Sequence, residues 1–214
     1  MSGDKALSWA YTEEYLPEPE AAARARASAE EFAIRPVSRG TGATLAALAA
    51  AIGAHSVAEI GTGTGTSAAW LCSGMSRDGV LTSIDIEPES QTVAREILTS
   101  MGVKPANARL IFGRALSVLP RLADGAYDLV FIDGDPEETE DYLTHAVRML
   151  RPGGTLAVNA ALWNDRVPEP ARRDPDTVRM RELVRRIRDD ENLTSTLLPC
   201  GDGLLVAVKT TPRA

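Results

Sequence analysis

The chain has 214 residues, of which 44% belong to the hydrophobic set AVILMFWYC and 25% are charged, and its formal net charge is −7. This composition is typical of a soluble globular protein and excludes a disordered, collagen-like or disulfide-scaffolded chain. The acidic balance disfavours nucleic acid as a partner, because phosphate binding requires a basic surface. Acids are interleaved with the arginine-rich stretch at residues 172–188, which therefore predicts a solvated helix face.

The cysteine count and the N-terminal residues indicate the cellular compartment in which the protein is expected. Cys72 and Cys200 fit neither a disulfide framework nor zinc-ligand spacing, and we expect both as reduced thiols. The first residues include acids and lack the apolar segment of a signal peptide. No apolar run reaches the roughly 18 residues of a membrane span. We therefore expect a cytoplasmic protein that binds neither membrane nor nucleic acid.

Residues 1–53 predict a helical segment ahead of the main sheet, expected to cover the site. Residues 1–16 are polar with scattered aromatic side chains. Residues 18–32 are rich in Ala, Glu and Arg, which favour a helix. After a break at residues 35–38, apolar side chains at residues 44–52 recur with helical spacing and predict a second helix.

From residue 54 onward, apolar segments alternate with helical ones. Strands are predicted at residues 56–60, 80–84, 109–112, 127–132 and 155–158, with helices at 67–75, 88–101, 116–122 and 138–150. This alternation predicts a doubly wound, mostly parallel α/β sheet. An amphipathic helix near residues 180–187 and a C-terminal antiparallel hairpin at 193–198 and 204–209 bring the sheet to seven strands. We interpret residues 1–214 as one domain, with 54–214 as the ligand-binding core.

A glycine-rich turn follows the first predicted strand at residues 61–65. Glycines there would let the backbone approach a ligand closely, and the next helix offers unpaired N–H groups. Such a turn alone is a weak signal, but Asp85 ends the second strand, where open α/β sheets place a ribose-binding carboxylate. The sequence thus predicts a nucleoside cofactor at the carboxyl ends of the strands.

Three features disfavour NAD as that cofactor. The third glycine of the dinucleotide fingerprint is replaced by Thr66. Glu59 and Asp133 end the first and fourth strands, and two carboxylates would repel a pyrophosphate but attract a sulfonium and an ammonium. The terminal hairpin also departs from a parallel dinucleotide-binding sheet.

The ordered motifs resemble the class I S-adenosylmethionine-dependent O-methyltransferases, closest to the bacterial branch of the catechol and caffeoyl-CoA O-methyltransferase group. The resemblance covers roughly residues 34–209, and its segments are residues 36–38, 58–67, 82–89, 113–115, 127–135, 150–154 and 199–203. It implies a Rossmann-like methyltransferase sheet and a homodimer. It also implies methyl transfer from S-adenosyl-L-methionine to a small-molecule acceptor, at a hydroxyl oxygen, with S-adenosyl-L-homocysteine as product.

The resemblance implies cofactor contacts at matching positions. These are Val37, Glu59, Gly61, Thr62, Gly63, Ser67, Asp85, Ile86, Ala115, Asp133 and Asp135. Asp85 would hold the ribose, with Ile86 and the Ala115 backbone at the adenine. Asp133 would lie near the transferred methyl group and is the candidate catalytic residue.

The sequence departs from the family at its metal site. Asp133 matches the first metal ligand, but the family's Asp-Asn pair falls on Asn159 and Ala160, and its catalytic lysine falls on Pro136. One carboxylate and one amide make a poor magnesium site, because hard cations prefer charged oxygen ligands. We therefore predict no family-type divalent metal, unless Asp165 or Asp135 completes the site.

Without metal and lysine, proton transfer needs another group. The candidates are Asp133, Asp135, Tyr142 and His145. His145 is expected at the surface and His55 at the far end of the sheet, while Trp163 either walls the acceptor pocket or anchors its loop. Asp133 is the preferred group for positioning the acceptor. Two alternatives remain: a cofactor-binding protein that has lost catalysis, and an NAD-type oxidoreductase.

Overall fold

The protein is described by a computed structural model covering residues 3–210, in which the strands form one seven-stranded sheet. The strands are β1 (Ser56–Ile60), β2 (Val80–Asp85), β3 (Ala108–Phe112), β4 (Tyr127–Ile132), β5 (Leu150–Val158), β6 (Leu193–Leu198) and β7 (Leu204–Lys209). Their order is β3-β2-β1-β4-β5-β7-β6, with β1–β5 parallel and β7 antiparallel to both neighbours. The predicted fold class is confirmed.

Helices cover both faces of the sheet. They are α1 (Gly3–Glu14), α2 (Glu20–Ala29), α3 (Arg39–Ala51), α4 (Thr66–Gly74), α5 (Pro88–Ser100), α6 (Ala115–Val118), α7 (Thr139–Met149) and α8 (Pro175–Asp189). Successive residues of β4 alternate between the two cores: Leu129 and Phe131 pack with α3, α4 and α5, whereas Val130 and Ile132 pack with α6, α7 and α8. This alternation follows from the two-residue period of a strand.

The N-terminal segment contains three helices, not the two predicted from the sequence. Residues 3–14 form α1, in which none of residues 5–14 is fully buried, so its sequence lacks the pattern of a helix packed on a core. Polar contacts hold it instead: the Glu13 carboxylate accepts hydrogen bonds from the backbone N–H groups of Gly40 (2.8 Å) and Gly201 (2.7 Å). One acid thereby joins α1 to the start of α3 and to the β6–β7 turn.

Two predicted boundaries also need correction. The helix expected at residues 116–122 is the short α6 followed by a 3-10 turn at Leu119–Arg121, because Pro120 cannot continue an α-helix. The strand expected from residue 155 begins at Leu150, and its pairing with β4 shifts register between Tyr127 and Leu129.

The topology places the site. From β1 the chain continues to β2 and β3 on one side of β1, and then crosses to β4 on the other side. The direction in which strands are added therefore reverses at β1. Ligands of open α/β sheets bind at such a reversal, beyond the carboxyl ends of the strands. Within residues 3–210, no helix combines the length and apolar character that crossing a bilayer requires.

Candidate active site

The glycine turn after β1 is pressed against the end of β4. Gly61 has φ +92°, and a Cβ there would lie 2.2 Å from the backbone oxygen of Asp133. Its N–H donates to the oxygen of Ile84 at 2.9 Å, which ties the turn to β2. Only glycine meets both the conformational and the steric demand. This close approach brings the carboxyl ends of β1, β2 and β4 together around the candidate ligand site.

Asp85 is oriented by the same turn. Its Oδ2 accepts from the Gly63 N–H at 2.7 Å and its Oδ1 from the Glu87 N–H at 2.9 Å. A carboxylate has about four acceptor positions. Two therefore remain for donors from outside the chain, which is what a ribose diol would supply.

Glu59 is buried at the end of β1, with no exposed surface. Its Oε2 accepts from the Ser83 hydroxyl at 2.6 Å, while Oε1 has no hydrogen-bond partner among the described residues. Burial raises the pKa of Glu59 to about 8, opposed by the hydroxyls of Ser67 and Ser83 and assisted by the charges of Asp133 and Asp85. A cationic ligand group nearby would favour its ionised form.

Asp133 follows β4, and its carboxylate accepts from the Asn159 side-chain amide at 2.8 Å. Burial raises the pKa of Asp133 to about 6, against the lowering effects of the Asn159 hydrogen bond and of the positive charge on Arg35. The carboxylate is thus largely ionised at neutral pH and can accept a proton or a hydrogen bond from a hydroxyl.

Two cavities meet at Gly61, Asp85 and Asp133. The first, the Ile86 cavity, has a volume of about 310 Å³ and is lined by Ile60, Gly61, Ile84, Asp85, Ile86, Gly113, Arg114, Ala115, Asp133, Gly134, Asp135, Glu138 and Tyr142. The second, the Arg35 cavity, has a volume of about 180 Å³ and is lined by Ile34, Arg35, Pro36, Val37, Gly61, Thr62, Gly63, Thr64, Thr66, Ser67, Asp85, Glu87 and Asp133.

The residues expected to contact the cofactor are therefore brought together. All except Glu59 line one of the two cavities, and Glu59 is buried close enough to Ser67 and Ser83 for their hydroxyls to affect its pKa. Their individual binding roles remain predictions. Sequence reasoning missed Arg35, although its position directly before Pro36 and Val37 placed it beside a matching segment.

The other candidates for proton transfer are less well placed. The Tyr142 hydroxyl donates to Glu138 at 2.7 Å, and burial together with the Glu138 carboxylate raises the pKa of Tyr142 well above its ordinary value. His145 is half-buried on α7 and lines neither cavity. Trp163 packs against the core, which favours the anchoring role, and it lines neither cavity. His55 lies at the opposite, amino-terminal end of β1.

The donor set at the family's metal position is weak. The Asn159 amide nitrogen is hydrogen-bonded to Asp133, and Ala160 adds no side-chain ligand. Within residues 3–210, no three His, Cys, Asp or Glu side chains cluster in a way that could hold a metal ion. Asp135 caps the following turn by accepting from the Glu137 N–H at 2.9 Å. A metal-free site remains a prediction.

Comparisons with known proteins identify the family of the chain. The O-methyltransferase family model matches residues 10–210. A relative from Mycobacterium ulcerans, named as an O-methyltransferase, is 50% identical over 185 residues, covering 86% of this chain and 83% of its own length. One from Mycobacterium tuberculosis is 47% identical over 201 residues, covering 94% and 90%.

Solved structures show the same architecture. A protein from Corynebacterium glutamicum has a TM-score of 0.89 at 31% identity, with 99% of both chains covered. The O-methyltransferase TomG from Streptomyces achromogenes, which acts in tomaymycin synthesis and was solved with S-adenosylmethionine, has a TM-score of 0.86 at 26% identity, covering 99% of this chain and 100% of its own. The expected enzyme class and its cofactor are thereby confirmed, and the NAD alternative is set aside. The chain belongs to the O-methyltransferase family.

Proposed function

We propose that the chain methylates a hydroxyl oxygen of a small-molecule acceptor and does so without a divalent metal. The observation that carries this proposal is the meeting of two cavities at Gly61, Asp85 and Asp133, with a buried acid, Glu59, nearby. S-adenosylmethionine supplies a sulfonium-bound methyl group: the acceptor oxygen bonds to the methyl carbon, the carbon–sulfur electron pair returns to sulfur, and the hydroxyl proton is released.

The residues present fit the two ends of that cofactor. In the Ile86 cavity, Asp85 has free acceptor positions for ribose hydroxyls, and Ile86, which is 59% exposed, offers an apolar face to an adenine. At the Arg35 cavity, Ser67 forms part of the wall and the unpartnered Oε1 of Glu59 is an acceptor suited to an ammonium group. Val37, 3% exposed, covers this end.

Asp133 is the group we assign to the acceptor hydroxyl. It belongs to both cavities, and its raised pKa lies close enough to neutrality for proton exchange. The Asn159 amide fixes one carboxylate oxygen and leaves the other for the acceptor. This arrangement lets the chain orient a hydroxyl without a metal bridge.

Metal independence is tested by transfer of radiolabelled methyl groups from S-adenosylmethionine to a panel of phenols. We expect equal rates in EDTA and in magnesium, because Asp133 and Asn159 are a poor donor set for a hard cation. A rate that disappears in EDTA and returns with magnesium would contradict the proposal. No transfer to any phenol or amine of a broad panel would favour the alternative of a catalytically inactive cofactor-binding protein, which the replacement of the family's lysine by Pro136 suggests.

We further propose that the protein is a cytoplasmic homodimer. Both cysteines are free, as expected in a reducing compartment. Leu7, Tyr11 and Tyr15 are 73%, 69% and 72% exposed. Their four-residue spacing places Leu7 and Tyr11 on one face of α1, with Tyr15 directly after the helix. An apolar stripe of this kind supports an interface with a second copy.

A further inference from the structure

Arg35 is a cation in a cavity whose other charged side chains are acids. It lines the Arg35 cavity together with Asp85, Glu87 and Asp133. Among the described residues, it forms no ion pair with a carboxylate; its Nη1 donates instead to the side-chain oxygen of Asn164 at 2.8 Å. A guanidinium has five N–H donors, so most of its donors are free for a ligand.

The loop that carries Asn164 is held in an unusual conformation. Ala160, Trp163, Asn164 and Asp165 have φ between +50° and +60°. Such angles are costly for Ala160 and Trp163, although asparagine and aspartate tolerate them, and they persist where the surroundings enforce them. Here the Asp202 carboxylate accepts from the Asn164 N–H at 2.7 and 2.8 Å. The fold thus holds strained backbone in a position that aims Asn164 at Arg35.

The charge of Arg35 reaches Asp133. Both groups line the same cavity, and the positive charge of Arg35 lowers the pKa of that carboxyl against the effect of burial. With the cofactor's ribose on Asp85, a negatively charged acceptor beside Asp133 would still be repelled by the carboxylates of Asp133 and Glu87. Arg35 is the basic group of this cavity that can offset the repulsion.

We propose that Arg35 binds the ionised oxygen of a phenol-type acceptor beside Asp133. This inference rests on the proposed methyl transfer and gives it a substrate class: hydroxyls acidic enough to pass their proton to Asp133, which is then neutral beside the phenolate. Arg35 then provides a positive charge in place of a divalent metal ion, for which Asn159 and Ala160 make a poor site. A simple aliphatic alcohol gains nothing from this contact and is a poor acceptor.

The test uses 4-nitrophenol, whose absorbance reports its ionisation, and protein saturated with S-adenosylhomocysteine. Wild-type protein is compared with R35M, R35K and the charge control R77M; Arg77 is exposed and lies before β2, at the opposite end of the strands. We expect the wild type and R77M to bind the phenolate at least roughly tenfold more tightly than R35M, since a charge-assisted hydrogen bond is lost. The pKa of bound 4-nitrophenol should be lowest in the wild type, and R35K should recover part of the difference.

Separate outcomes distinguish a failure of the proposed function from a failure of the role of Arg35. Failure of the wild type to bind S-adenosylhomocysteine would overturn the proposed function and the role of Arg35 with it. If S-adenosylhomocysteine binds to all variants, then equal phenolate binding by R35M, or no phenolate binding by the wild type, would overturn the role of Arg35 alone. Benzoate forms a control arm: Arg35-dependent binding of benzoate without that of the phenolate would mean that Arg35 recognises a carboxylate, and would also contradict the proposal.

Discussion

The acids at the strand ends differ because their surroundings differ. Glu59 is enclosed and keeps an unpartnered oxygen, Asp133 shares a hydrogen bond with Asn159, and Asp85 accepts from two backbone N–H groups. Burial raises the pKa values of Glu59 and Asp133, because it disfavours their charged forms. Glu59 is thus suited to a cationic group, Asp133 to an acceptor hydroxyl and Asp85 to a ribose.

Asp85 gives the simplest test of cofactor contact. D85N should weaken S-adenosylhomocysteine binding roughly tenfold or more, because charge-assisted hydrogen bonds to ribose hydroxyls become neutral ones. Calorimetry measures the affinity, and D78N is a matched control because Asp78 is 83% exposed. Thermal unfolding of ligand-free D85N shows whether the turn remains intact. Unchanged affinity in D85N would contradict the ribose assignment.

Glu59 predicts a pH dependence of stability. Its pKa is about 8 in the folded protein, against an ordinary value of 4.5. Between these values the folded state binds more protons than the unfolded state, so the contribution of Glu59 to stability falls as pH rises from about 4.5 to 8. E59Q, which resembles the neutral acid, should lack this contribution.

The Glu59 prediction is checked by thermal unfolding without ligand at pH 5 and pH 8. The difference in Tm between E59Q and the wild type should grow in favour of E59Q as pH rises, while its affinity for S-adenosylhomocysteine should fall. A difference that is constant across this range would refute the raised pKa. Comparing the two proteins at each pH removes the contributions of other groups that titrate in this range, such as Asp133, whose pKa is also raised.

Much of the site could be predicted from the sequence because its residues follow strands in a fixed pattern. Asp85 and Asp133 end parallel strands, and such ends meet at one edge of a sheet. Arg35 could not be found this way, since it belongs to no strand and its approach to Asp133 depends on the path of the N-terminal segment. Its contact with Asn164 joins residues 129 positions apart.

At the level of elements, the glycine turn links β1 to β4. G61A would place a Cβ 2.2 Å from the Asp133 backbone oxygen, whereas a Cβ at Gly53, also at positive φ, would have no neighbouring atom within 4 Å. G53A should therefore cost only about 1 kcal/mol of stability for its backbone conformation. G61A should cost roughly 3 kcal/mol or more and abolish S-adenosylhomocysteine binding. Denaturant unfolding measures both, and equal losses would refute the steric argument.

A helix or strand can be predicted from the sequence where packing against a core imposes a pattern of apolar residues. The continuous apolar run of β4 matches a strand buried on both faces, and the amphipathic pattern of α8 matches its buried face. By contrast, α1 buries little and is held by Glu13, through contacts between residues far apart in the sequence. No local pattern carries that information, so this helix could not be predicted.

At the level of the whole molecule, the exposed face of α1 predicts an oligomeric state. Sedimentation should give about twice the chain mass of 22.8 kDa. Replacing Leu7 and Tyr11 by glutamate should return the protein to a monomer, because charges on an apolar interface are costly to bury. The same double substitution at the exposed Ala6 and Ala10, one position earlier on α1, is a control for general effects on the helix. A monomeric wild type would refute the proposed interface.

The sheet order, more than any single residue, positions the chemistry. Because β1 lies between β2 and β4, the glycine turn, Asp85 and Asp133 converge, and the N-terminal segment reaches the same edge with Val37 and Arg35. Which acceptor fits depends on the conformations of this segment and of the loop after β5. These irregular segments are the least determined by sequence pattern, which is why the sequence predicts the reaction better than the substrate.

The most direct test of the central claim is calorimetric titration of the purified protein with S-adenosylhomocysteine, once with magnesium and once with EDTA. The cavities around Gly61, Asp85 and Asp133 predict binding with the same affinity in both conditions. Absence of binding in both would contradict the cofactor site and leave the fold alone. Binding only with magnesium would contradict the metal-free site.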